Sequence, residues 1–301
     1  MLLNGCAIHF RRVLGGSVLA LLAWAVPDSV RGQELYVGAT LAGANYQGEL
    51  QDKQLTLDGM TPGLGLNALY AHNDWLAVSL ELYRGLLTGS DAKPDSRNRN
   101  RGLQFVTQLF DLTAAARINL YNNYNVPFIP YVTGGVSLFH VDPYTTDGVR
   151  GRVYLFPLST EGQGLRAYPE IPKHRNLNYA VMGGLGLEMR MTEQIRVDVE
   201  VGFRKTFTDY IDDVSGYYPD PNMLLAERGP IAVQYSYRGD EAGGSPVFPG
   251  GALRGNPETD DWYHIVQVRV RIPIRNWQLE FIYKNHILRK SGWPYNWHRR
   301  R

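Results

Sequence analysis

Apolar and polar residues alternate with a period of two through much of the chain, and no stretch sustains helical spacing. Eight such segments read as strands. The first covers 35–46, with Leu35, Val37, Ala39 and Leu41 on one face. The second covers 64–71, with Leu64, Leu66, Ala68 and Tyr70 aligned. The third sets Leu76, Val78, Leu80 and Leu82 against Ser79, Glu81 and Tyr83. In the fourth, Phe110, Leu112, Ala114, Ala116, Ile118 and Leu120 oppose Asp111, Thr113, Arg117 and Asn119. A glycine-rich fifth spans 129–141. The sixth opposes Val181, Leu185, Leu187 and Met189 to Glu188 and Arg190. The seventh alternates Ile195, Val197, Val199, Val201 and Phe203 with Arg196, Asp198, Glu200, Gly202 and Arg204. The eighth sets Val266, Val268, Val270 and Ile272 against Gln267, Arg269 and Arg271.

The links between these segments are unequal. Those after strands two, four and six are short, at 72–75, 122–128 and 192–194. Those after strands one, three, five and seven are long and polar, the last running from about 211 to 260. A membrane β-barrel has this asymmetry, with short turns on the periplasmic side and long loops outside. The predicted fold is therefore all-β: an eight-stranded antiparallel transmembrane barrel, with both termini periplasmic. Its apolar face meets lipid. Its charged face fills the lumen, because charge facing lipid is costly. Glu81, Asp111, Arg117, Glu188, Arg190, Arg196, Asp198, Glu200, Arg204, Arg269 and Arg271 are the expected interior network. Trp75, Tyr121, Tyr124 and Phe128 are the expected aromatic girdle at the short turns, and Tyr83, Phe207, Tyr210, Trp262 and Tyr263 the girdle at the other rim. A soluble lipocalin-like barrel is the structural alternative. Periodicity alone does not say which face is inside, but loop asymmetry and an export signal favour the membrane.

That signal is the N-terminus. Arg11 and Arg12 precede an apolar run from 13 to 26, then Pro27 and the small residues Ser29 and Gly32, which reads as a secretory leader over 1–32. The one cysteine, Cys6, lies before the apolar run and leaves with it. The mature chain then has no thiol for a disulfide, a nucleophile or a thiolate metal site. No later stretch has the ~18 uninterrupted apolar residues of a membrane helix. With 301 residues and a net charge of +2, nothing draws the whole chain to nucleic acid. The charge is nonetheless divided. The segment 275–301 carries Arg275, Lys284, Arg289, Lys290, Arg299, Arg300 and Arg301 against Glu280, together with Trp277, Trp293 and Trp297. A basic aromatic extension of this kind suits an acidic periplasmic partner or anionic headgroups.

Several stretches carry a resemblance. They are Arg97-Asn98-Arg99-Asn100, Pro130-Tyr131-Val132 with Phe139-His140 and Pro143, and Thr160-Glu161-Gly162-Gln163-Gly164. To these add the run from Thr208 through Asp209, Tyr210, Ile211, Asp212, Asp213, Val214, Ser215 and Gly216 to Tyr217, and Arg254-Gly255-Asn256-Pro257 before Asp261-Trp262-Tyr263. Over about 34–274 the chain resembles the PorG-like family of outer-membrane barrels, associated with the type IX secretion system. The resemblance implies an OmpA-like eight-stranded barrel. It also implies a role in tethering a periplasmic ring of PorK and PorN subunits, or lipoprotein components of such a machine, to the outer membrane.

Three candidate sites are weighed on the residues themselves. Asp209, Asp212 and Asp213, with Tyr210, concentrate carboxylates at a predicted rim. Their spacing is not that of an EF-hand loop, and they read as a rim turn of solvated or arginine-paired carboxylates, with Arg254 as one partner. Ser137 and His140 share a strand but fall on opposite faces, and His264 has no evident relay, so no catalytic, metal or cofactor site is assigned. Gly183-Gly184-Leu185-Gly186 lacks the setting of a nucleotide loop and reads as a closely packed strand. The expected organisation is a leader (1–32), a barrel (33–274) and an extension (275–301). The expected function is a non-enzymatic outer-membrane anchor for a periplasmic or secretion assembly, held in outer-membrane lipid. A narrow pore or a surface ligand-binding barrel is the alternative.

Overall fold

The computed structural model describes residues 34–51, 56–92, 96, 98–121, 128–192 and 194–274. The expected leader, the extension 275–301 and Tyr124 lie outside them. In chain order the elements are β1 (Glu34–Gln47), β2 (Thr61–Ala71), β3 (Leu76–Ser90), β4 (Gln104–Asn119), β5 (Phe128–His140), β6 (Tyr144–Asp147) and β7 (Gly151–Tyr154). There follow β8 (Leu177–Arg190), β9 (Arg196–Thr206), helices α1 (Pro221–Arg228) and α2 (Pro230–Ser236), and β10 (Trp262–Pro273).

Eight strands form one antiparallel sheet in the order β3-β2-β1-β10-β9-β8-β5-β4, and β4 pairs back onto β3 over its whole length, from Leu76–Ile118 to Ser90–Gln104. Closure gives every strand two neighbours, so no row of backbone donors and acceptors is left open. Side-chain caps fix two of the short turns. Asn73 Oδ1 accepts from the amides of Trp75 and Leu76 at 2.9 and 2.8 Å, and Thr192 Oγ1 from those of Gln194 and Ile195 at 3.1 and 2.9 Å.

The alternation sorts residues between two unlike surfaces. Leu41, Leu64, Leu66, Val136 and Leu185 project outward and are more than half exposed, while Glu81, Asp111, Arg117, Glu188, Asp198, Arg204, Arg269 and Arg271 are buried inside. A soluble barrel has the reverse arrangement, so the lipocalin-like alternative is removed. No helix among the described residues is long and apolar enough to cross a membrane; the strands present the apolar belt.

The long links gather at one end and are folded, not merely polar. β6 and β7 form a hairpin in the third, joined to the wall by the Val106–Tyr144 pairing, and α1 and α2 lie in the fourth. Four-residue strands and helices of eight and seven residues are too short to impose a period on the sequence. A cap starts the first helix: Asp220 accepts from the amides of Asn222 and Met223 at 2.8 and 3.2 Å, with Pro221 opening the helix. These loops close the mouth. Tyr46, Leu87, Phe105, Leu109, Phe139, Tyr263 and Ile265 from the wall pack with Leu50, Ile211, Val214 and Tyr235 from the loops into one buried apolar cluster.

The aromatic rim needs a correction. Trp75, Tyr121 and Phe128 are exposed beside the short turns, and Phe207 and Trp262 are exposed at the loop end. Tyr83 and Tyr263 point inward and are buried, and Tyr210 is half-buried among loop residues. The reason is the period of two. Tyr83 shares a face with Glu81, and adjacent Trp262 and Tyr263 must face opposite ways. Tyr179, whose ring lies 5.1 Å from that of Phe207, takes the outward place.

Candidate functional site

The lumen is crossed by ion pairs at successive heights. Nearest the short turns, Arg196 lies 3.1 Å from Glu188 and 3.3 Å from Glu34, with its guanidinium over the Tyr36 ring. Arg117 bridges Glu188 at 2.8 Å and Asp198 at 3.0 Å and stacks on Tyr131 at 3.8 Å. Arg271 also pairs with Asp198 and donates to Asn67 at 2.6 Å. Higher up, Arg269 spans from Glu81 at 3.1 Å to Glu200 and donates to the Tyr131 hydroxyl at 2.8 Å. Highest is Arg204, 3.1 Å from Asp111, which also accepts from Tyr263 at 2.6 Å and Ser137 at 2.8 Å. Arg190 is half-buried at the turn end.

All eleven residues expected in the interior therefore lie on the inner face. Sequence reading missed Glu34, whose pairing with Arg196 reaches across β10 from β1 to β9. With it the network has six arginines and six carboxylates, so the wall contributes no net charge to its own interior. Ser137 belongs to this network, whereas His140 faces outward. His264 is buried beside Gln47, with Nδ1 3.2 Å from the amide nitrogen. The crowding uses a glycine: a Cβ on Gly186 would sit 2.1 Å from the Tyr131 ring.

At the loop end the rim carboxylates separate into two groups. Arg254, from the fourth long loop, lies 2.9 Å from Glu161 of the third, and 3.8 Å from Asp213, whose backbone carbonyl also accepts from it. Glu161 accepts in addition from the amides of Ser215 and Gly216, each at 2.8 Å, and Thr160 donates to Asp213 at 2.5 Å. Asp213 holds φ at +67°, a left-handed conformation that a non-glycine residue adopts only when its surroundings fix it. Tyr210 packs edge-on to His174, ring centres 4.7 Å apart.

Asp209 and Asp212 do not meet Arg254. They face Glu49, from the first long loop, and Asp261, which precedes β10; neither was counted among the rim carboxylates from the sequence, because only the closed barrel brings the ends of β1, β9 and β10 together. The Tyr46 hydroxyl lies 2.5 Å from Asp212 Oδ2 and 3.1 Å from Asp261 Oδ1. One hydroxyl proton thus faces two carboxylates. Asp212 and Asp261 are fully buried and Asp209 is 8% exposed, so these are not the solvated carboxylates of an open rim turn. Burial pushes the Asp209 carboxyl up to about 8, helped by the charges of Glu49, Glu161 and Asp260 and opposed by the nearby Ser215 hydroxyl, which does not complete a hydrogen bond to it. Burial likewise raises Glu49 to about 7, opposed by backbone amides and Arg101. Asp212 and Asp261 are held well above the usual carboxylate range, by burial first and then by their acidic neighbours.

A closed antiparallel barrel with paired charges inside and an apolar belt outside defines an integral β-barrel of the outer membrane. The chain belongs to the outer membrane protein beta-barrel domain family, whose profile matches residues 16–224. Among solved structures, it is similar to Ail, the attachment invasion locus protein of Yersinia pestis solved with the heparin analogue sucrose octasulfate, with 10% identity and a TM-score of 0.40 over 81% of this chain and 100% of that one. Neisserial surface protein A gives 12% identity and a TM-score of 0.41 over 80% and 99% of the two chains. Outer Membrane Protein W of E. coli gives 14% and 0.36 over 82% and 100%. No curated protein matches the chain.

Proposed function

We propose that this protein is a non-enzymatic, non-conducting outer-membrane anchor that organises a periplasmic or secretion assembly. Its long loops face outward and both termini lie in the periplasm. The observation that carries the reading is the filled lumen. Arginines and carboxylates span it from Arg196 up to Arg204, and an apolar cluster of wall and loop residues lies above them. An ion would have to break buried pairs to pass, which favours a scaffold over the narrow pore. The PorG-like resemblance supports the kind of assembly: a periplasmic ring or lipoproteins of a type IX secretion machine, with the basic segment 275–301 as a contact.

Cross-linking in intact outer membranes followed by purification tests this. Recovery of ring-forming periplasmic proteins, and their loss on deleting 275–301, is the expected result. Steady ion conductance of the purified barrel in a planar bilayer would count against it. One feature favours a second reading, a surface-binding barrel: the outer loops form a folded cap of a hairpin and two helices. Binding of an external ligand by a barrel that recovers no periplasmic partner would select it.

A further inference from the structure

We propose that Glu49, Asp209 and Asp261 hold a calcium ion at the loop end of the barrel, with Asp212 supporting the site. The three residues come from separate segments, yet each offers a carboxylate oxygen within 4.8 Å of the others. Three oxygens that close to one another all lie within ~2.8 Å of a common point, so shifts of a few tenths of an ångström bring them to calcium's ~2.3–2.6 Å.

Proximity of acids alone would not make a site. The second observation is that three buried oxygens, two on Asp209 and one on Glu49, lack partners. Asp209 is more than nine-tenths buried, and neither of its carboxylate oxygens completes a hydrogen bond; Oε2 of Glu49 is buried and equally unpartnered. Buried carboxylate oxygens nearly always have a donor, because leaving one without costs free energy. The other oxygens of the cluster are held in place. Glu49 Oε1 accepts from the Asn256 amide at 3.1 Å, and Asp261 Oδ2 from the Ile211 amide at 2.9 Å. The free oxygens are thus positioned by a backbone frame.

The neighbouring cations are engaged elsewhere. Arg101 pairs with Asp91 at 2.7 Å, Arg254 with Glu161 at 2.9 Å and Lys205 with Asp260 at 3.1 Å. An all-oxygen, carboxylate-rich set in irregular loops suits a hard cation of flexible coordination. Calcium accepts that geometry more readily than magnesium, which demands a near-ideal octahedron. Bound there, the ion would tie the first long loop to the two ends of the fourth and set the cap on the barrel.

The test is calorimetric titration of the refolded full-length chain with calcium chloride, beside limited proteolysis in calcium and in chelator. One ion per chain and calcium-dependent protection of the loops are expected. Asp209→Asn and Glu49→Gln should each weaken binding roughly tenfold or more, while Asp240→Asn, at an exposed loop position, should not. Migration on unheated gels reports whether each variant has folded, and the wild-type proteolysis needs no variant. A folded wild-type barrel that binds no calcium would overturn the proposal, leaving carboxyls that share protons. Equal binding by Asp209→Asn would also overturn it. Equal protection by magnesium would overturn the assignment to calcium.

Discussion

Arg254 and Glu161 meet 2.9 Å apart although ninety-three residues separate them, and both are almost fully buried. This pair joins the third and fourth long loops. Glu161 also accepts two backbone amides beyond β9, so one carboxylate organises three stretches of chain. Glu161→Gln keeps the shape and one acceptor but removes the charge facing Arg254. It should loosen the cap and leave the barrel folded. Protease cleavage within 141–176 and 207–261 should rise several-fold, with unchanged migration of the folded barrel. Unchanged loop protection would mean that the apolar cluster alone holds the cap.

Among the described lumen carboxylates Asp198 has the most arginine neighbours, pairing with Arg117 at 3.0 Å and with Arg271, and lying 3.8 Å from Arg269. Asp198→Ala would leave buried guanidinium charge uncompensated, at a cost of about 3–5 kcal/mol. The half-exposed Lys205–Asp260 pair at the rim, 3.1 Å apart, should contribute only about 0–1 kcal/mol. Urea unfolding in lipid vesicles should show a large fall in midpoint for Asp198→Ala and almost none for Asp260→Ala. A small effect at Asp198 would mean that water enters the lumen and screens the arginines.

The wall of the barrel was legible because lipid and lumen impose opposite chemistry on alternate residues, and eight strands repeat that pattern. The charged face of β9, from Arg196 to Arg204, needed no knowledge of neighbours to be read. Glu34 was not legible, since its partner lies two strands away around the barrel. The same holds for Glu49 and Asp261, which become neighbours of Asp209 only when β10 closes against β1 and β9. Tyr83 and Tyr263 were assigned to the outer rim because an aromatic near a strand end suits an interface. Their place in the alternation decided against it. Helices α1 and α2 were hidden by their length.

Gly186 and Gly183 offer an internal comparison on one strand. A Cβ at Gly186 would strike the Tyr131 ring, which stacks under Arg117 and bonds Arg269. Gly186→Ala must therefore shift the centre of the charge network, at a cost of about 1–3 kcal/mol. A Cβ at Gly183, which faces outward, meets nothing within 4 Å, so Gly183→Ala should be neutral or slightly stabilising. Equilibrium unfolding of the two variants side by side gives the difference. Equal effects would mean that Tyr131 gives way freely.

The carboxylates at the mouth predict how the cap responds to pH in the presence of chelator. Glu49 is raised to about 7 and Asp209 to about 8 in the folded protein, against ~4 in an unfolded chain. The folded state therefore binds more protons between those values, and stability falls as pH rises through that window. The contribution is fully present below pH ~4 and is lost once the folded groups ionise, near pH 7–8. Asp212 and Asp261 act in the same direction, Asp260 and Glu161 add to the repulsion on Asp209, and Arg101 offsets part of it at Glu49. Amide exchange in the loops 48–51 and 207–215 should accelerate from pH 5 to pH 8 by more than the intrinsic rate change. Asp209→Asn, which cannot ionise, should flatten that dependence. A cap whose protection is independent of pH would mean that the four acids are satisfied by groups that do not titrate, and the charge repulsion inferred at the mouth would be wrong.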